Sequence, residues 1–380
     1  MRADLATATR SPGDLVVLVG GDLVLDAADP DHWLAGIAPA IQAADISIGH
    51  LEVPHTRRGT ELDVDIPASA PPPEYLDALA RAGFSGLTLG GNHISDRGAE
   101  GIEDTIERLR ALGIACTGAG STLDQARAPA LISCRGRHLS VLSYNCVGPE
   151  AAWATDSRAG CNYLRVATAD GSPVAPSADL TVTDVAALAQ LAADIVAAKQ
   201  SADLVVVSLH KGLVHTPARL ALYERPLAEA ALAAGADIVV GHHAHILRGI
   251  EVVGGRPVFH GLGNACVVTQ ALDPGQDHPV RAAWAKRRRE VFGFEPDPRY
   301  TLAPFHPEAV YGVLGIVVLH ADGSLSTGVV PLFVEPPGRP VCVSDKRAET
   351  VIGYLDRISN VAGLSSCHWI RRAPFLWMAA

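Results

Sequence analysis

No Cys-x-x-Cys pair occurs in this chain, although it holds seven cysteines, at 116, 134, 146, 161, 266, 342 and 367. An odd, scattered set points away from a disulfide framework and from a thiolate zinc site. No stretch approaches the roughly 18 uninterrupted apolar residues of a membrane span. Positive charge is short as well: 31 basic against 41 acidic residues leave a formal charge of -10, which argues against nucleic acid and anionic membrane as partners. Met1 to Asp14 has two arginines but neither an apolar core nor a small-residue cleavage pattern, so no export signal is read there. These absences predict a reduced, cytoplasmic, soluble protein whose partners are small or peptidic.

What the chain does have is core-forming material. Over 380 residues, 48% are hydrophobic and 19% charged, enough for a large buried interior and unlike a disordered or collagenous chain. Short β-branched runs alternate with alanine-rich helical stretches, the pattern of an α/β architecture. Leu15 to Val19 reads as a first strand that stops at Gly20-Gly21-Asp22. A helix over Asp31 to Ala43 leads to a strand that stops at His50-Leu51-Glu52. After Pro71-Pro72-Pro73 a helix runs to Ala82, and the strand Gly86 to Leu89 meets Gly90-Gly91-Asn92-His93. Helix Glu100 to Leu112 ends at Gly113. Residues 147 to 180 read as a long loop. A helix over Val182 to Lys199 precedes a strand delivering His210, and a helix over Ala218 to Ala234 precedes one delivering His242, His243 and His245. Residues 273–307, with Lys286-Arg287-Arg288-Arg289, read as an insertion in a domain spanning 14–335. Asp322-Gly323 marks a hairpin, and residues 336–380 add a helix near Arg347 to Ile358 and an apolar tail, Trp369 to Ala380.

Polar residues recur at the strand ends. In open α/β sheets the carboxyl ends of parallel strands face one crevice, so Asp22, Glu52, Asn92, His93, His210, His243 and His245 are expected to meet there. Two carboxylates, an amide and several imidazoles form a mixed oxygen and nitrogen donor set, suited to one or two divalent ions of Mn, Zn, Fe or Co, with no organic cofactor required. An extended segment after Val240 aims residues 243 and 245 the same way. Any one of these histidines alone reads as a polar loop residue; seven metal-type residues at five strand ends do not.

Gly21-Asp22, His50-Leu51-Glu52, Gly91-Asn92-His93 with Asp96 and Gly98, Ser208-Leu209-His210, Gly241-His242-His243-Ala244-His245 and Gly261-Leu262-Gly263-Asn264 resemble the ordered motifs of the CapA (poly-γ-glutamate capsule biosynthesis) family of the calcineurin-like metallophosphatase superfamily. The resemblance covers about residues 14 to 268. It implies a four-layer αββα sandwich with a metal centre at the sheet ends. Asp22 and His245 would serve one ion, Asn92, His210 and His243 the other, and Glu52 would bridge. His93 would act as acid or base, oriented by Asp96. The chain departs from the pattern at Val24, where a ligand histidine is expected, at Lys211 in place of a tryptophan, and at Asp26 near an expected arginine. Losing that arginine and gaining an acid would weaken a phosphate or carboxylate clamp.

Without a membrane span, the resemblance points to the CapA-like peptide epimerases of lasso-peptide biosynthesis. That implies L-to-D inversion at a Cα of a ribosomal precursor peptide, with a leader-recognition protein as partner. Asp26, Lys211 and His215 are the candidates for the second acid or base. Hydrolysis of phosphate esters or γ-glutamyl amides, and a non-catalytic binding role around a vestigial metal site, are the competing readings. Lys286 to Arg289 read as a solvated helix face, Cys266 as a packing residue, His260 and His306 as structural, and Trp153, Tyr163, Trp369 and Trp377 as core.

Overall fold

The structure is a computed structural model that describes residues 13–62, 68–172, 174, 180–273, 275, 277–365, 367–372 and 375–378. Residues 1–12, which include most of the N-terminal stretch read for an export signal, lie outside the described residues, as do 373–374 and 379–380 of the apolar tail. Among the described residues, no helix is long and apolar enough to cross a membrane.

Two sheets lie face to face between helices, which makes the four-layer αββα sandwich. Among the described residues, the larger has ten strands. At its centre Leu15–Asp26 pairs in parallel with Ile46–Leu51 and antiparallel with Tyr311–Leu319, and its second half pairs in parallel with Asn264–Thr269. Gly86–Thr88 and Ala115–Thr117 extend it on one side. On the other side are Leu325–Glu335 and the C-terminal hairpin of Trp369–Arg372 and Phe375–Met378. The six-stranded sheet runs in the order Leu247–Val253, Arg256–Leu262, Ile238–His242, Leu204–His210, Arg137–Asn145, Ala130–Cys134.

Period-two alternation builds the layers. Leu15, Val17, Val19, Ile46 and Ile48 of the large sheet meet Leu139, Val141, Leu204, Val206, Ile238 and Val240 of the small one in a core between the sheets. The alternate residues Val16 and Leu18 face a core that includes residues of helices Pro30–Leu34, Asp77–Ala82 and Gly98–Ala111. Val205, Val207 and Leu209 face helices Val185–Lys199 and Glu224–Ala234.

Several elements differ from the sequence reading. The helix expected over Asp31 to Ala43 is two short ones, Pro30–Leu34 and Ala38–Ile41. They part at Gly36, where a Cβ would lie 2.2 Å from the Pro340 carbonyl oxygen. The helix expected from Ala218 starts at Glu224, because Ala218 holds a left-handed φ of 54° and the carbonyl of Arg219 accepts from the buried Arg248 guanidinium instead of a helical N–H. The stretch 147–180 includes two short strands, Gly160–Cys161 and Val166–Thr168. Within the stretch 273–307 the described residues include helix Pro279–Phe292, and the hairpin around Asp322-Gly323 and helix Lys346–Val361 lie near their expected places.

Candidate metal centre

The first strand extends past its expected end through a bulge. Val19 pairs with Ile48 but Asp22 pairs with His50, so three steps on one strand match two on the other. The extra residue reverses the alternation: odd residues 15–19 face the other sheet, whereas Leu23 and Leu25 face the helices, which turns Asp22 toward the inter-sheet edge. Gly21 permits the bulge, since a Cβ there would sit 1.8 Å from the Gly263 carbonyl oxygen. His50 follows Ile46 and Ile48 in parity, and His210 follows Leu204 and Val206, so both imidazoles reach the same edge. His210 pairs with His242 in register.

Two groups of donors form there. In the first, one ligand atom from each of Asp22, Glu52 and His245 lies within 4.8 Å of the others. His245 Nε2 is 3.1 Å from Glu52 Oε1, and its Nδ1 is 2.9 Å from Asn264 Oδ1. His242 Nδ1 is 3.0 Å from Asp22 Oδ1. In the second group, His210 Nε2 lies 2.8 Å from Asn92 Oδ1 and 3.1 Å from His243 Nδ1. His50 links them: its ring stacks on His242 at 4.4 Å and stands 4.8 Å from His210.

Burial sets the charge states. It lowers His50, His242 and His243 to about 3 and His210 well below its ordinary value, so these imidazoles are neutral and ready to ligate at pH 7. Burial opposes charge on His245 too, but Glu52 and Asp22 outweigh it and hold His245 at about 9. Burial and the neighbouring Glu52 carboxylate push Asp22 up. Burial would raise Glu52 in the same way, but His245 more than offsets it and holds Glu52 down.

The donor set fits a divalent cation. Glu52 Oε2 is buried without a hydrogen-bond partner, an expensive arrangement that a cation at the carboxylate relieves. Backbone strain points the same way: His243 and His245 hold left-handed φ values of 88° and 54°, which functional sites tolerate at a cost of about 1–3 kcal/mol each. This corrects the expected extended run after Val240. The strand ends at His242, and the two histidines turn to different partners, His243 to His210 and His245 to Asp22 and Glu52.

Beside the donors, His93 Nδ1 is 2.8 Å from Asp96 Oδ2. With 20% of its side chain exposed against 12% for His245, His93 is the more accessible to a substrate. Asp96 also accepts from the Ala68 N–H at 2.7 Å. Asp26 is held by the Ser69 and Thr269 hydroxyls, and burial pushes its carboxyl up; four residues beyond Asp22, it lies ~13 Å along the strand. Lys211 is corrected as an acid or base: its Nζ is fully buried and 2.7 Å from the equally buried Glu224. Val24 joins an apolar cluster with Val53, Val267 and Phe305. Cys266 is buried, and burial pushes its thiol up, as a packing residue requires. His50, His242 and Asn264 belong to the site without having been assigned roles from the sequence; their strand parity and register were the available signal.

The layering and the donor set define an α/β sandwich protein with a candidate metal centre. Residues 6–268 match the family model of bacterial capsule synthesis protein PGA_cap, and the chain belongs to that family. The capsule biosynthesis protein CapA of Bacillus anthracis is 28% identical over 238 residues, 62% of this chain and 53% of that protein. A probable polyglutamine synthesis accessory protein of Mycobacterium tuberculosis is 30% identical over 244 residues, 61% of this chain and 59% of that protein. The chain thus spans between half and three-fifths of these relatives' length. Among solved structures, a hypothetical protein from Thermus thermophilus is similar at 16% identity and a TM-score of 0.41, covering 83% of this chain and 99% of that one. The calcineurin-like phosphoesterase YfkN from Bacillus subtilis is similar at 12% identity and a TM-score of 0.35, covering 92% and 98%.

Proposed function

We propose that this chain is a metal-dependent enzyme that inverts one Cα of a peptide, a ribosomal precursor peptide, by removing and returning its proton. The observation that carries the reading is the His93–Asp96 pair beside the donor set, in a site whose neighbouring cations are already engaged. Lys211 is paired with Glu224, and Arg281 with Glu61 at 2.6 Å. With Lys211 and Arg281 engaged, the negative charge of a phosphate ester would fall to a bound ion alone, whereas a peptide bond brings none.

An ion held by Asp22, Glu52 and His245, or by Asn92, His210 and His243, would supply stabilisation for negative charge gathering on the peptide carbonyl oxygen. Asp96 accepts the His93 Nδ1 proton, which puts the basic lone pair of that imidazole on Nε2. His93 then takes the Cα proton from one face. His215, whose ring centroid is 5.9 Å from that of His245, is the nearer of the remaining candidates for its return; Asp26 is the other.

The test is incubation of the metal-loaded protein with candidate precursor peptides in heavy water, with a leader-recognition protein present. The expected result is one deuterium at one Cα, a D-residue on hydrolysis and an unchanged chain length. The donor set alone would also activate water for hydrolysis of phosphate esters or γ-glutamyl amides, and release of phosphate or amine without Cα exchange would establish that reading instead.

A further inference from the structure

We infer that Glu224 is a positioning residue of the metal centre: it ties down the loop 211–221, and that loop holds the turn 243–245 in the shape that presents His243 and His245 to a cation. The inference rests on the metal-centre reading and is independent of the reaction proposed above.

It starts from where the backbone is strained. Among the described residues, six that are not glycine hold left-handed φ values, and four of them, His215, Ala218, His243 and His245, lie in these two segments. Such conformations persist only where the surroundings over-determine them. Two backbone bonds join the segments: the Lys211 N–H donates to the His242 carbonyl at 3.3 Å, and the His215 N–H to the Ala244 carbonyl at 2.9 Å. The turn is therefore only as well fixed as the loop, which has no helix or strand of its own.

Glu224 fixes the loop from its first residue to its last. Its Oε2 lies 2.7 Å from Lys211 Nζ, and its Oε1 accepts the Ala221 N–H at 2.6 Å. Oε1 is also 3.2 Å from the Arg248 guanidinium, which donates in turn to the Leu213 carbonyl at 2.7 Å and to the Arg219 carbonyl. Gly212 packs so closely on the carboxylate that a Cβ would stand 2.6 Å from Oε1, and its N–H donates to the Tyr223 hydroxyl at 2.7 Å. An apolar trio of similar volume is often as stable as a buried ion group, but it makes none of these bonds to the loop backbone. Lys211, Glu224 and Arg248 are too deeply buried to touch a substrate, so the triad acts through the chain it holds.

The experiment measures Mn and Zn affinity by calorimetry for the unaltered protein and for Glu224→Gln, Tyr223→Phe and Glu229→Gln, each checked for folding by circular dichroism. Glu224→Gln is expected to weaken binding about 10–100-fold, as loss of a group that orients metal ligands does. Tyr223→Phe removes the acceptor of the Gly212 N–H and no charge; it should weaken binding in the same direction, and it decides the question if Glu224→Gln does not fold. Glu229→Gln removes a carboxylate from the exposed face of the same helix and should bind as the unaltered protein does. Hydrogen exchange of the metal-free proteins gives the second readout. Glu224→Gln and Tyr223→Phe should speed exchange in 211–223 and 241–247 more than in strands Tyr311–Leu319 and Leu325–Glu335. A role in stability alone raises exchange evenly and leaves ion affinity unchanged, and that result overturns the inference. If the unaltered protein binds neither ion, the metal-centre reading has failed and the exchange pattern decides whether Glu224 holds the turn: selective speeding supports it, and even speeding overturns it.

Discussion

His93 and His245 are both imidazoles held against carboxylates, and the proposed reaction gives them opposite tasks. His93 has one carboxylate on Nδ1 and partial exposure, the arrangement of a group that exchanges a proton with substrate. Replacing it by alanine is expected to slow Cα exchange about 10²–10⁴-fold, and Asp96→Asn should slow it less while shifting its pH profile; rates in heavy water between pH 5 and 9 measure both. His245, buried and raised to about 9 by Glu52 and Asp22 against the effect of burial, carries a proton at pH 7 that a bound cation must displace. Ion binding should release protons and tighten as pH rises from 6 toward 9. Calorimetry in buffers of different ionisation enthalpy reports that release, and an affinity that stays flat across this range would contradict it.

At the scale of elements, the site depends on where strands stop and on what holds the loops behind them. Repeated apolar runs ending in Asp, Glu, Asn or His made the strand ends legible in the sequence, and period-two alternation made the layers legible. The bulge at Gly20 and Gly21 was not, because its cause is a close approach to Gly263, more than 200 residues away in the chain. The role of Lys211 was hidden for the same reason: its partner Glu224 lies beyond a loop that reads as helix and is fixed by the buried Arg248. That loop also joins the metal site, since the His215 N–H donates to the Ala244 carbonyl at 2.9 Å.

This buried triad has a pH consequence. Burial would raise Glu224, but Lys211 and Arg248 outweigh it and hold it at about 2, below its ordinary 4.5. Its contribution to stability is therefore complete above about pH 4.5 and is lost as pH falls through about 2. Glu224→Gln leaves two buried cations without their counter-charge, which should cost about 3–5 kcal/mol at pH 7 and flatten the acid limb between pH 4.5 and 2. Urea unfolding of both proteins across that range checks the magnitude and the sign.

Over the whole molecule, ten positions distributed between Asp22 and Asn264 arrive at one edge of a sandwich because parallel strands from both sheets end there. The segment after residue 273 adds Phe305, which stacks on His245. The C-terminal hairpin completes the larger sheet far along its strand order from the site. The tail was legible only as apolar, since its pairing with Gly328 and Val329 depends on a neighbour the local pattern does not name.

Metal analysis of the folded protein after exposure to Mn, Zn, Fe or Co and extensive dialysis tests whether these carboxylates, amides and imidazoles hold a cation. The account predicts one or two ions per chain, with stoichiometric loss when Glu52→Gln and His245→Ala are combined in a protein that still folds. Failure of every one of these ions to remain bound, or equal retention by the double variant, would contradict it.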